Sequence, residues 1–266
     1  MKEIKILGIE KKQRSKKFKL ITTEDDYTVS EDMIIKHYLF KEQTFTEKEF
    51  KKIIEDILED EYFNKVINLL SISLKSEYEI IKYIHTNEAK NKTYLKDNQV
   101  QNIIKKLKQL NYIDDNKLCI SVIDYYIRNN KGPLYIKQKL KEKHINENII
   151  NSNLKVYDNS IEEEIIVKIL SKETCKNIPL KKLKMNLCNK LIRNGFSSNL
   201  VYKHVDQFEF EDNSIDLIEK DYLKIYNRVS KKEKTDSEKK QLIINGLMSK
   251  GYEYSLIKDF LNNSSK

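Results

Sequence analysis

Glycine and proline are scarce in this 266-residue chain, at 5 and 2 residues, and tryptophan is absent. β-Sandwiches, barrels and doubly wound sheets place those residues in many tight turns, so the scarcity argues against them and leaves a mostly helical protein. It also removes the glycine-rich loops that cradle phosphates, because neither Gly-x-Gly-x-x-Gly nor Gly-x-x-x-x-Gly-Lys-Ser/Thr occurs. The three cysteines, Cys119, Cys175 and Cys188, are far apart and never form a Cys-x-x-Cys pair. That pattern reads as reduced thiols in a cytosolic protein, not as a disulfide framework or a zinc site. His37, His85, His144 and His204 are isolated, without the His-x-x-x-His or His-x-Glu spacing of a metal site. No apolar stretch approaches the roughly 18 residues of a membrane span, and the amino terminus lacks the apolar core of a signal peptide. Paired carboxylates such as Asp114-Asp115 and Glu162-Glu163-Glu164 stand at helix starts, where they complement the helix dipole. Cys119 and Cys188 read as small core residues. No enzyme, cofactor or metal centre is therefore expected.

What the chain has in excess is positive charge, 50 Lys+Arg against 41 Asp+Glu for a net +9. An acidic partner is implied, nucleic acid first. A coding bias toward AT-rich codons raises Lys, Asn, Ile and Tyr together, so charge alone does not name the partner. At this length one or two domains with a real core are expected.

Residues 1–29 differ from the rest. Ile4 and Ile6 alternate with polar residues, and Phe18-Lys19-Leu20-Ile21 and Tyr27-Thr28-Val29 follow, which predicts two or three short strands. Lys11, Lys12, Arg14, Lys16 and Lys17 lie in the first connection. Ser30-Glu31-Asp32-Met33 reads as a helix start capped by Ser30, and Thr46-Glu47-Lys48-Glu49 as a capping box before Phe50, Ile53, Ile54, Ile57 and Leu58. From about residue 61 every periodic segment is helical.

Internal repetition dominates that helical part. Ile136, Leu140, Ile145, Ile149, Ile150 and Leu154 share their spacing with Leu187, Leu191, Phe196, Leu200, Val201 and Val205. The spacing returns at Ile243, Leu247, Tyr252, Leu256, Ile257 and Leu261. Each copy is a helix, a short turn plugged by one large apolar residue, and a second helix. Asn194-Gly195-Phe196 and Lys250-Gly251-Tyr252 carry glycine where a left-handed residue ends the helix, and Asn146 and Ser197 are candidate caps for the next one. Leu95 is the plug of a degenerate first copy, followed by Val100, Ile104 and Leu107. The plugs recur about every fifty residues, with room for one more helix upstream of each, near 63–74, 115–129, 160–173 and 213–229. The expected fold is thus mainly α: tandem three-helix, helix-turn-helix-like repeats in a solenoid-like array behind a small β-containing amino-terminal segment. The expected divisions are 1–60 for that segment and 61–114, 115–158, 159–209 and 210–266 for four repeats.

Two basic runs stand out. Lys172, Lys176, Lys181, Lys182, Lys184, Lys190 and Arg193 are opposed only by Glu173, and Arg128, Lys131, Lys137, Lys139, Lys141 and Lys143 by Asp124 and Glu142. On a helix starting near Pro133, Lys137 and Lys141 share one face while Ile136 and Leu140 point inward. Lys181, Lys184 and Lys190 offer a similar ridge one module later, so the two ridges are expected to form one track for phosphates. The candidate interface is Arg128, Lys131, Lys137, Lys141, Lys181, Lys182, Lys184, Lys190 and Arg193, with Tyr126 and Tyr135 beside it. Base-specific reading is not expected, since the Asn146, Glu147, Asn148 cluster at one third-helix start has no counterpart at Ser197 or Glu253.

The segment Arg128-Asn129-Asn130-Lys131-Gly132-Pro133, followed by Ile136, Leu140, Lys143 and Ile145, resembles the central signature of RecX, the bacterial regulator of the RecA recombinase. Val29 to Asp32 with Leu39 and Lys41, Leu69 to Leu74 with Ser76 and Glu77 to Ile80, and Leu107, Leu110, Tyr112, Ile113, Asp114 and Asp115 agree with the family in order and spacing. Two departures stand out: His85 to Lys92 is a longer polar stretch without glycine, and His144 replaces the usual glycine before Ile145. The resemblance implies an elongated, curved array of three-helix repeats that binds the RecA filament on single-stranded DNA, and DNA itself, and modulates recombinase activity, usually by inhibition. Other classes remain open at this point: a DNA-binding protein without a recombinase partner, and a helix-turn-helix transcriptional regulator.

Overall fold

The computed structural model describes residues 3–13, 15–173 and 178–263, so Arg14, Cys175 and Lys176 lie outside the described residues. Among the described residues there are four strands and thirteen helices. The first elements are β1 (Glu3–Lys11), β2 (Lys17–Thr22), β3 (Asp26–Ser30), α1 (Glu31–Lys36), β4 (Thr44–Thr46) and α2 (Glu47–Leu70). Then come α3 (Glu77–Asn91), α4 (Asp97–Gln109), α5 (Asp115–Arg128), α6 (Pro133–Glu142), α7 (Glu147–Leu154), α8 (Asn159–Leu170) and α9 (Leu180–Arg193). The last are α10 (Ser198–Gln207), α11 (Ser214–Val229), α12 (Asp236–Lys250) and α13 (Tyr254–Asn263). After α1 the helices run as four successive triplets. None of them is long and apolar enough to cross a membrane.

The chain divides into two compact units: Met1–Cys119 with Lys143–Ile149, and Ile120–Glu142 with Ile150–Lys266. In the first, the strands form an antiparallel sheet in the order β3-β2-β1-β4. Ile4, Ile6, Leu20 and Val29 alternate onto one face of it and meet Phe50, Ile53 and Ile57 of α2. The sheet thus has one strand more than the sequence predicts: β4 is only Thr44-Phe45-Thr46, too short for a two-residue period to show. Ser30 accepts from Met33 N–H, and Thr46 and Glu49 close their capping box, so both expected helix starts are present.

The second expected division changes. α2 runs unbroken across residue 60, so the helix after Thr46 and the first helix of the first repeat are one 24-residue element. The acidic stretch Glu55 to Glu61 is therefore helix interior, and Ile57 within it and Tyr62 and Val66 after it are buried. Tyr62 and Val66 pack with Ile80, Ile84, Leu95, Val100, Ile104 and Leu107 into the core of the first triplet. His85 to Asn91 continues α3 without glycine, and Lys92 ends that helix in the left-handed conformation at φ 54°.

All four plugs are buried: Leu95 and Ile145 in the first unit, Phe196 and Tyr252 in the second. A left-handed residue immediately precedes the last three, His144 at φ 54°, Gly195 at 85° and Gly251 at 101°. His144 thus holds a backbone conformation that favours glycine. Its imidazole stacks on Tyr78 with ring centroids 3.7 Å apart, a contact that offsets some of the left-handed strain.

Each of these turns also docks on the start of the preceding triplet's middle helix. In the first unit, Ser76 Oγ donates to the Lys143 carbonyl at 2.7 Å, and Lys143 Nζ reaches Glu79 at 2.9 Å. In the second, Gly132 N–H donates to the Asn194 carbonyl at 2.9 Å and Leu134 N–H to the Gly195 carbonyl at 3.0 Å. The two backbones touch: a Cβ on Gly132 would lie 2.3 Å from the Gly195 carbonyl, and one on Gly195 would lie 2.2 Å from the Tyr135 nitrogen. Gly251 lies against Lys182 in the next copy of the joint, and Lys181 pairs with Glu253 at 3.1 Å. In the first triplet α2 itself takes the receiving role, its Glu55 holding Lys96 at 2.6 Å and Gln99 at 2.8 Å.

Two acids, the buried Glu162 and the half-buried Asp221, complete the turns. Ser197 stands at the cap position of α10 but its hydroxyl makes no cap bond; the carboxylate of Glu162 on α8 accepts from both its N–H, at 2.5 Å, and its Oγ, at 3.0 Å. Glu162 stands in the first turn of its own helix and serves the start of another. Asp221 accepts from Lys250 Nζ at 2.7 Å and from the Tyr252 hydroxyl at 3.0 Å. Burial opposes its charge, but the bonds from Lys250 and Tyr252 outweigh that and hold the carboxyl below its ordinary value of 3.8.

Gly195→Ala is expected to cost at least about 1–2 kcal/mol from the left-handed backbone alone, with more from overlap on Tyr135, as read by urea unfolding. Gly8→Ala, whose Cβ would meet only Ile21 Cδ1 at 3.9 Å, should change little. The Asp221 contribution is fully present above pH about 4 and is lost as pH falls through the depressed value. Asp221→Asn should therefore flatten the acid limb of stability against pH, and an unchanged limb would remove Asp221 as its source.

Candidate nucleic-acid interface

All nine candidate basic residues lie in the second unit, on or beside α5, α6 and α9. The fold uses them unequally. Lys131 precedes α6 and is half-buried; its Nζ donates to Asn194 Oδ1 at 2.8 Å and lies 5.0 Å from the centre of the Tyr135 ring. Its carbonyl accepts from the buried Tyr157 hydroxyl at 2.9 Å, and burial pushes that phenol's pKa up. Lys131 is thus part of the joint between triplets. Lys181 and Lys182 stand at the next joint, against Glu253 and Gly251.

The remaining residues face outward to different degrees. Arg128 ends α5 and Lys141 lies in the last turn of α6, and both are exposed. Lys137 is half-buried and donates to Asn151 Oδ1 at 3.0 Å. Lys184 reaches the Asp206 carbonyl at 3.1 Å, Lys190 pairs with Glu173 at 2.7 Å, and Arg193 Nε donates to the Asn189 carbonyl at 3.2 Å. These contacts are exposed or half-exposed, where an ion pair contributes about 0–1 kcal/mol, so a phosphate competes for such side chains at little cost.

The two ridges do not occupy equivalent positions. Counting from the buried pair Ile136 and Leu140 on α6 and its counterpart Leu187 and Leu191 on α9, Lys137 and Lys141 correspond to Cys188 and Ile192. Lys139 corresponds to Lys190, while Lys181 and Lys182 belong to an additional turn at the start of α9. The signal that separates them is the apolar register, which is in the sequence; the difference in helix start is not.

Tyr126 and Tyr135 are half-buried, and sequence reasoning missed their neighbour. Tyr125, which is 60% exposed, meets Tyr126 edge-on with centroids 5.1 Å apart, and Tyr126 meets Tyr135 the same way at 5.3 Å. Lys139 Nζ lies 5.7 Å from the Tyr135 ring centre while pairing with Glu142 at 2.6 Å.

The groups that would favour other chemistry are engaged structurally. Asn146 Oδ1 accepts from Asn148 N–H at 2.8 Å and so caps α7, which removes it from the polar cluster a base-reading helix needs. Asp114 accepts from Asn116 and Lys117 N–H at the start of α5. Burial, with Asp115 adding to it, pushes the Cys119 thiol up to about 11, and burial also raises Cys188, so both are protonated at neutral pH.

Relatives over nearly the full chain carry the name regulatory protein RecX. One from Streptococcus agalactiae serotype V is 35% identical across 97% of this chain and 98% of its own length. One from Streptococcus gordonii is 30% identical across 98% and 99%. A crystal structure of a regulatory protein RecX superposes with a TM-score of 0.58 at 23% identity, over 77% of this chain and all of its own, a likeness of fold. No family model matches.

Lys131→Ala should lower unfolding stability by about 1 kcal/mol, since it removes the Asn194 bond and the ring contact. Arg128→Ala should leave stability within about 0.5 kcal/mol. Equal losses in thermal melts of the two variants would remove Lys131 from the joint.

Proposed function

Because the chain belongs to the RecX family of regulatory proteins, we propose that it binds the RecA filament on single-stranded DNA and inhibits recombinase turnover without covalent chemistry. The observation that carries the nucleic-acid part is that Arg128, Lys141, Lys190 and Arg193 are all exposed on one compact unit. Lys137, Lys141, Lys184 and Lys190 would exchange weak protein contacts for phosphate oxygens. Binding of this kind is sequence-independent and driven by counterion release. The action follows from occupancy: a protein held on the strand and on the recombinase opposes filament growth and the ATP turnover that accompanies it. Such a partner places the protein in the cytosol, in DNA repair and recombination.

The deciding experiment is single-stranded-DNA-dependent ATP hydrolysis by the host recombinase, with this protein titrated at ratios well below one. Inhibition at low ratios is the expected result. No effect, with DNA binding retained, would leave a general DNA-binding module in its place. If about six phosphates are engaged, log affinity for a single strand should fall against log salt with a slope near about −4, at about −0.7 per contact. Charge reversal at Lys137 and Lys141 should reduce that slope, as should reversal at Lys184 and Lys190. A slope unmoved by either pair removes those helices from the interface.

A further inference from the structure

Electrostatics accounts for lysines and arginines but not for an exposed tyrosine among them. Tyr125, Tyr126 and Tyr135 form a continuous edge-to-face ladder that begins half-buried at Tyr135 and ends in solvent at Tyr125. Its inner end is fixed. Tyr135 lies one residue before the buried Ile136, and the ammonium groups of Lys131 and Lys139 approach its ring at 5.0 Å and 5.7 Å. The outer ring has no packing role that requires an aromatic, being 60% exposed. Arg128, exposed and three residues further along α5, projects from the same side of the helix as Tyr125. Of the acids in this basic run, Asp124 is exposed on α5 and Glu142 is already held by Lys139 at 2.6 Å.

We propose that this ladder is a stacking platform for the unpaired bases of single-stranded nucleic acid, with Tyr125 presenting the outer face and Arg128 the adjoining phosphate contact. The platform rests on the nucleic-acid reading above and adds a discrimination that reading lacks. Phosphates are common to single strands and duplexes, whereas free base faces belong to single strands. Every base has such a face, so the platform selects strandedness without reading sequence. A rigid support suits the role, because a ring already braced at one edge loses little freedom when a base covers it.

The test compares three ligands for the full chain: a thymine oligonucleotide, an abasic strand of the same length and charge, and the corresponding duplex. The native chain should bind the base-bearing strand about tenfold more tightly than the abasic one, as stacking of one base predicts. Tyr125→Ser should lose most of that preference while its affinity for the abasic strand stays unchanged, and Tyr125→Phe should retain it. Equal affinity of the native chain for both single strands would overturn the platform and leave the charge-based reading intact, as would a preference that survives Tyr125→Ser. Binding to none of the three ligands would overturn the nucleic-acid reading itself. Because Tyr125 is exposed, matching thermal melts of the three proteins are expected.

Discussion

Two peptide N–H groups at the start of α6 donate to the carbonyls of Asn194 and Gly195, with the backbones so close that neither Gly132 nor Gly195 has room for a Cβ. The next joint in the second unit repeats the close approach, with Gly251 against Lys182. The left-handed residue bends the chain so that the plug Phe196 turns into the core while the carbonyls before it point toward the preceding triplet. A single turn thus closes its own triplet and attaches it to another. In the first unit the same position is served by other chemistry, Ser76 and Glu79 against Lys143, and by a histidine that stacks where a glycine would bend freely.

Helices and plugs were legible in the sequence because their signals are local. Ser30 and Thr46 announce helix starts, and the five-residue step from Leu140 to Ile145, Leu191 to Phe196 and Leu247 to Tyr252 marks a turn between two apolar stripes. What escaped were features without a period or with a long reach. β4 has three residues, and it pairs with β1 across some forty intervening positions. The division expected at residue 60 falls inside α2, where Ile57 and Tyr62 are buried on either side of it. Glu162 reads as a first-turn acid of α8, since nothing in a one-dimensional pattern tells that its carboxylate reaches Ser197.

The candidate interface was legible as charge and not as geometry. Composition finds Lys131, Lys181 and Lys182, but only their surroundings reveal that they are occupied in joining triplets. Arg128 and Lys141 carry the same charge in solvent. A lysine's usefulness to a polyanion depends on what it must release first, and that quantity is absent from a count. The aromatic ladder illustrates the converse: Tyr125 looked unremarkable beside Tyr126 until the ring geometry joined the two.

The joints have a consequence for how such chains diverge. At Asn194–Gly195 and Gly132–Leu134 the bonding atoms are main-chain N–H and C=O groups, which nearly every amino acid supplies. Mutation can therefore rewrite most side chains around a joint without erasing it, provided the few small or left-handed positions are kept. Two-thirds of the residues can differ from a full-length relative while the chain aligns from end to end. An architecture held by atoms common to all residues keeps its shape long after its spelling has drifted.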